Sequence, residues 1–134
     1  MTKRTSGSKE GKVEAIMLTL GVDFFKMYPG GEHQVRNMLE GMNVTDRYNW
    51  MQLCGSGVPK IAVKYCYLVW GGEVQYRAEI KEFRKNSTGQ FNDGGIVRTH
   101  RHKNLCVLQG PVEPAPGSMP MKGFQGFRYS EYLF

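Results

Sequence analysis

Residues 60–83, KIAVKYCYLVWGGEVQYRAEIKEF, decide the fold class. In the first half Ile61, Val63, Tyr65, Tyr67 and Val69 alternate with Ala62, Lys64, Cys66, Leu68 and Trp70, the period of two that puts successive side chains on opposite faces of a strand. Gly71 and Gly72 follow at once. Two glycines adopt positive φ without a Cβ clash, which is what a two-residue hairpin turn demands. The second half alternates again, with Val74, Tyr76, Ala78 and Ile80 facing in and Glu73, Gln75, Arg77, Glu79 and Lys81 facing out. The stretch predicts one long antiparallel hairpin against which the other elements pack.

Upstream, Ile16, Leu18 and Leu20 share one face of the run 13–20, VEAIMLTL, which reads as a strand ended by Gly21. Residues 22–28, VDFFKMY, suit a short helical turn, broken by Pro29-Gly30-Gly31. Val35, Met38, Leu39 and Met42 then recur at i, i+3, i+4 and i+7, an amphipathic helix ending near Gly41. A second short helix is expected over Asp46 to Cys54, because Tyr48, Met51 and Leu53 do not alternate, before a loop at Gly55-Ser56-Gly57 and Pro59. Downstream of the hairpin, RKNSTGQFNDGG reads as a surface loop that turns at Asn92-Asp93-Gly94-Gly95. Ile96 to His100 and Leu105 to Leu108 are short strands joined by a turn over Arg101 to Asn104. Four prolines, at 111, 114, 116 and 120, precede the aromatic run GFQGFRYSEYLF, which is expected to close over the barrel or complete an edge. Helices gathered early among runs of strands define an α+β domain with a mostly antiparallel, barrel-like sheet.

At 134 residues the chain fits one domain, residues 13–134, preceded by a basic, disordered tail over residues 1–12. No apolar run reaches the roughly 20 residues that span a bilayer, and no signal-type segment follows the basic start. A cytoplasmic protein without a membrane partner is expected. Three cysteines, an odd number with no CxxC spacing, agree with a reducing compartment. The net charge of +6 favours anionic partners, nucleic acid first.

Several constellations bear on chemistry. His100 and His102 share a strand face and Cys106 follows four residues later, but zinc needs three or four converging ligands and the spacing is no finger pattern. Within RTHRHK these histidines read more simply as part of a basic patch, and no metal or other cofactor is expected. Cys54, Thr19, Ser56 and Ser118 sit in no nucleophile signature, and Pro29-Gly30-Gly31 matches no phosphate-binding loop. The stronger pattern is cationic and aromatic: Arg98, Arg101 and Lys103 around the histidines, then Lys122, Phe124, Gln125, Phe127, Arg128 and Tyr129. Cations hold phosphates, aromatic rings stack on unpaired bases and Gln reads a base edge. The same aromatics also suit core plugs, and Trp70 suits either a ligand-stacking surface or packing beneath the aromatic tail.

The strings IMLTLGVDFFKMYPGGEHQVR, YCYLVWGGEVQYRAEIKEF and VLQGPVEPAPGSMPMKGFQGFRY together resemble the PUA-like superfamily, above all its ASCH branch, over roughly residues 13 to 129. The resemblance implies a small β-barrel flanked by one or two N-terminal helices, with a cleft for RNA or a modified nucleobase. Some relatives are amidohydrolases with a Lys, a Thr and a Glu in the site. Here GEHQVRNM holds no Lys-x-x-Thr, so Glu79 at the acidic position stands without those partners.

The expectation is a non-catalytic module for nucleic acid, RNA more than DNA, or for a nucleotide. Its binding residues would be Arg36, Trp70, Arg77, Arg98, Arg101, Lys122, Phe124, Gln125 and Arg128. The alternatives are a small hydrolase acting on a modified nucleobase and a protein-binding inhibitor of a partner or host factor. Because residues 1–12 carry no apolar periodicity, their removal should leave the melting temperature unchanged, which thermal circular dichroism of the truncated chain checks.

Overall fold

The structure is a computed structural model that describes residues 15–44, 50–55, 57–93, 96–124 and 126–130, the side chains of 91–93 and 96 excepted. The tail 1–12, residues 46–49 of the predicted second helix, Ser56, the 94–95 tip of the predicted turn and Gln125 lie outside the described residues. The elements run β1 (Ala15–Thr19), α1 (Val22–Phe25), α2 (Gly31–Gly41), β2 (Trp50–Leu53), β3 (Tyr65–Trp70), β4 (Glu73–Asp93), β5 (Ile96–Pro114) and β6 (Phe127–Ser130). They form one six-stranded sheet in the order β2-β5-β4-β3-β1-β6. β1 pairs in parallel with β3, a connection that needs a long crossover, supplied here by the segment carrying both helices and β2. The remaining ladders are antiparallel.

The hairpin forms where the sequence places it. Gly71 and Gly72 have φ of 64° and 79°, the two positive values that a primed hairpin turn requires. The face assignment departs from simple alternation in one place. Leu68 pairs with Tyr76 but Val69 pairs with Val74, so Gln75 is an extra residue in β4. This bulge sends Val74 to the face opposite Tyr76 and Ala78, whereas the alternation puts all three together.

Consequently both faces of β3 are buried. On one face Ile16, Leu18, Cys66, Leu68, Trp70, Tyr76, Ala78, Cys106 and Leu108 pack against Val35, Leu39 and Met42 of the second helix region. On the other, Ala15, Met17, Tyr67, Val69 and Val74 are covered by Met119, Met121 and Phe124 from the proline-rich segment. That segment is stitched down by Val74 N–H donating to the Met119 carbonyl and Met121 N–H donating to the Gly72 carbonyl, each 2.8 Å. β6 then completes an edge beside β1.

The small, mostly antiparallel PUA-like barrel is overturned. The sheet is mixed and open, with β2 and β6, four residues each, as its two edges. Closure requires the outer strands to tilt into a common register. Here β4 and β5 direct their length to each other instead, as 21- and 19-residue partners.

Three local expectations also change. Residues 50–53 are a strand, with Trp50 and Gln52 buried and Met51 and Leu53 more open, because pairing with Leu105 to Leu108 of β5 overrides the ambiguous pattern. Residues 60–64 lie outside the strand, which begins at Tyr65. The expected loop after Phe83 and the expected turn over Arg101 to Asn104 are instead parts of one ribbon, whose bends are register shifts rather than chain reversals. Asn86 and His102 absorb the distortion at φ of 51° and 53°, a region that Asn and His enter more readily than most residues.

The C-terminal end of α2 meets β5 through one side chain. Asn43 Nδ2 donates to the Val112 carbonyl at 2.7 Å, and Val112 N–H donates to Asn43 Oδ1 at 2.6 Å. The amide thus imitates a neighbouring strand where the helix approaches the sheet. Asn43→Ala leaves both backbone groups of Val112 without these bonds and should destabilise the fold by about 1–3 kcal/mol, measured by denaturant unfolding.

Candidate functional site

The seam between the helices and the end of β3 holds a cavity of about 280 Å³ lined by Leu20, Val22, Phe25, Glu32, Trp70 and Gly71. Its position follows from the chain's local chemistry. Gly21 ends the β1 segment and Val22–Phe25 coils immediately over the sheet, while Gly71 ends β3 and lifts the chain away beside Trp70. Trp70 is 5 % exposed and its Nε1 is buried, outside hydrogen-bond geometry to any described residue yet near enough to the Glu32 carboxylate to act on it. Burying an indole N–H is costly unless a polar group lies close, and the Glu32 carboxylate is the group that offsets that cost.

Behind the cavity stands a polar network. Arg36 donates to Glu32 Oε2 through Nε at 2.9 Å and Nη2 at 2.7 Å, and to Gln75 Oε1 at 2.8 Å. Gln75 in turn donates to the Trp70 carbonyl at 2.7 Å, so the bulge residue is the link between helix and strand. The Arg36 guanidinium lies 5.0 Å over the Trp70 ring and 5.6 Å over Tyr76. Tyr76 donates its hydroxyl to Glu40 Oε2 at 2.5 Å. Arg36 holds the Glu32 carboxyl below the usual range by donating to it, with the Trp70 N–H side adding in the same direction against partial desolvation. Burial pushes the Tyr76 phenol up, and its bond to Glu40 pushes further the same way.

Trp70 does not lie beneath the aromatic tail. Phe25 meets its ring at 5.3 Å and 61°, and Tyr76 lies 5.9 Å away. With Arg36 over the ring as well, the indole has no open face, and its Nε1 is buried.

Of the predicted binding residues, Arg36 and Trp70 meet in this site. Arg98 comes close from the ribbon: its guanidinium is 5.1 Å from the Phe24 ring centroid, and Phe24 meets Phe25 edge-on at 5.5 Å. Arg101 is exposed on β5. Arg77, Phe124 and Arg128 belong to the opposite side of the sheet, where Arg77 lies 4.2 Å over Tyr65 and pairs with Glu113, and Arg128 lies 4.6 Å over Phe124. Lys122 is exposed in the covering segment. The predicted residues therefore divide between two faces instead of lining one cleft. Glu32, Phe25 and Gln75 were absent from the predicted set. Glu32 lies one helical turn before Arg36, a spacing that favours an ion pair and was legible in GEHQVR.

The remaining chemical candidates separate. His100 lies 2.9 Å from Ser87 Oγ, His102 Nδ1 lies 3.0 Å from Asn86 Oδ1, and Cys106 is buried in the core. Among the described residues no group of three or more His, Cys, Asp or Glu side chains is placed to hold a metal ion. Cys54, Cys66 and Cys106 are free and buried in one apolar cluster. Burial, then the nearby Cys106, pushes the Cys54 thiol up to about 12, and burial raises Cys66 well above its ordinary value. The Cys54 and Cys66 thiols remain protonated and pack as small apolar groups. Among the described residues no helix is long and apolar enough to cross a membrane.

Comparison with known proteins returns no matching family model, no matching curated protein and no matching solved structure.

The network makes a pH-dependent contribution. The raised Tyr76 pKa stabilises the fold fully below the unfolded phenol value of about 10, and that contribution is lost as pH rises through the higher folded value. Melting temperatures measured from about pH 9 upward should fall more gently in Tyr76→Phe than in the wild type.

Proposed function

We propose that the chain is a nucleic-acid-binding or nucleotide-binding module that holds one unpaired base in the cavity between α1 and the end of β3. The observation that carries this reading is a small apolar slot, lined by Leu20, Val22, Phe25 and Trp70, whose one charged lining group among the described residues is the ionised Glu32 carboxylate held in place by Arg36. The carboxylate offers an acceptor beside apolar surface that suits a flat ligand. Nucleobases present N–H donors on their Watson–Crick edges once unpaired.

Size supports the reading. At about 280 Å³ the cavity falls just below the roughly 300–1,000 Å³ range of drug-sized ligand sites, a volume suited to one ring system. Leu20, Val22 and Phe25 supply the apolar surface against which a ring loses water. The cation beside Glu32 is Arg36, which stays protonated and fixes the carboxylate rather than exchanging protons with it. Binding is thus the chemistry this arrangement favours over hydrolysis.

The chain holds two tryptophans, and Trp50 already donates its Nε1 to Gln52 Oε1 at 3.1 Å. Titration with the four ribonucleoside monophosphates should move the Trp70 indole ¹⁵N–¹H resonance and leave that of Trp50 in place. Glu32→Gln, at a half-exposed position that tolerates substitution, should weaken the tightest of these by about tenfold or more. A Trp70 resonance unmoved by all four nucleotides contradicts the reading.

A further inference from the structure

The distal part of the β4–β5 ribbon is a basic feature outside the cavity. Residues 81–103 contain six Lys and Arg, namely Lys81, Arg84, Lys85, Arg98, Arg101 and Lys103, against Glu82 and Asp93. Arg84 is tied to Glu82 at 2.7 Å. Lys85, Arg101 and Lys103 are exposed and form no salt bridge among the described residues. Such cations are not needed to hold the two strands together, since the ladder itself runs from Tyr76 opposite Pro114 to Asp93 opposite Ile96.

The ribbon is also connected to the cavity. Its register shifts lie between Ala78 and Glu79, Ile80 and Glu82, Arg84 and Ser87, and Ser87 and Gly89. Bulges of this kind bend and twist a strand pair. The ribbon reaches α1, where Arg98 lies over Phe24, the neighbour of the cavity residue Phe25. From Arg98 to Lys103 the strand covers roughly 16 Å at about 3.3 Å per residue, enough for a short run of phosphates leading away from the cavity.

We infer that the β4–β5 ribbon is a track for the sugar–phosphate backbone of a single nucleic-acid strand, so that the ligand is a polymer and not a free nucleotide. The inference rests on the base-binding reading for its polarity, with the base at the α1 end and the phosphates along Arg98, Arg101, Lys103 and Lys85. Single strands suit this surface because a base within the cavity cannot remain paired. Single-strand binders likewise combine a cationic track with sites for individual bases.

The test compares the wild type with the triple variant Lys85→Ala, Arg101→Ala, Lys103→Ala, whose exposed positions should leave the melting temperature unchanged. Single-stranded RNA of about ten nucleotides should bind the wild type more tightly than any monophosphate. In the triple variant the log–log salt slope should fall by about 2, at about 0.7 for each lost phosphate contact, while monophosphate binding stays the same. An unchanged slope, a monophosphate bound as tightly as the strand, or equal affinity for a duplex of the same sequence overturns the inference. If the strand binds and the triple variant loses the slope while monophosphates leave the Trp70 resonance unmoved, the ribbon stands and the cavity reading falls. If neither strand nor monophosphate binds, both fall.

Discussion

The burial of β3 on both faces is the constraint on which the rest of the structure depends. A strand covered on one side needs one partner layer; Tyr65–Trp70 needs two, and the chain supplies them from opposite ends. The helices come from before it and the proline-rich segment from after it. Because β1 lies beside β3 in parallel, its own alternation matches that of β3, with Ile16 and Leu18 under the helices and Ala15 and Met17 under the covering segment. This coupling also locates β6, which pairs with β1 once the covering segment has crossed the second face.

The bulge at Gln75 translates that constraint into a site. Without an extra residue in β4, Val74 and Tyr76 would share a face, and the second layer would lose an apolar contact near the turn. With it, Gln75 reaches both the Trp70 carbonyl and the Arg36 guanidinium. Arg36 is thereby held over Trp70 and beside Glu32 by several directed bonds, which is the support a binding surface needs if its polar groups are to keep fixed positions. Individually the exposed ion pair contributes little. Its value here is geometric, because it positions a carboxylate next to a buried indole N–H.

The ribbon and the opposite sheet face use similar residues differently. On the second face Arg77 and Arg128 lie flat on Tyr65 and Phe124, covering aromatic surface with their planar guanidinium groups. On the ribbon Lys85, Arg101 and Lys103 are exposed without a salt bridge among the described residues, and Arg98, over Phe24, marks the place where the ribbon returns to the helices. A count of basic residues does not distinguish these two situations. Packing does.

By itself the sequence determined the elements whose signals are local. Period-two alternation identified β1 and the hairpin, two adjacent glycines fixed the turn, and the i, i+3, i+4, i+7 spacing of Val35, Met38, Leu39 and Met42 marked α2. What tertiary structure decided were the features that depend on a distant partner. Residues 50–53 are a strand because β5 offers them a register, the ribbon extends through polar residues because each strand satisfies the other's backbone, and the sheet stays open because its short edges never share a register. The site divides in the same way. Arg36 and Trp70 stood among the candidates in the sequence, but a single bulged residue, Gln75, links them, and a bulge is a property of two paired strands that neither strand's own pattern records.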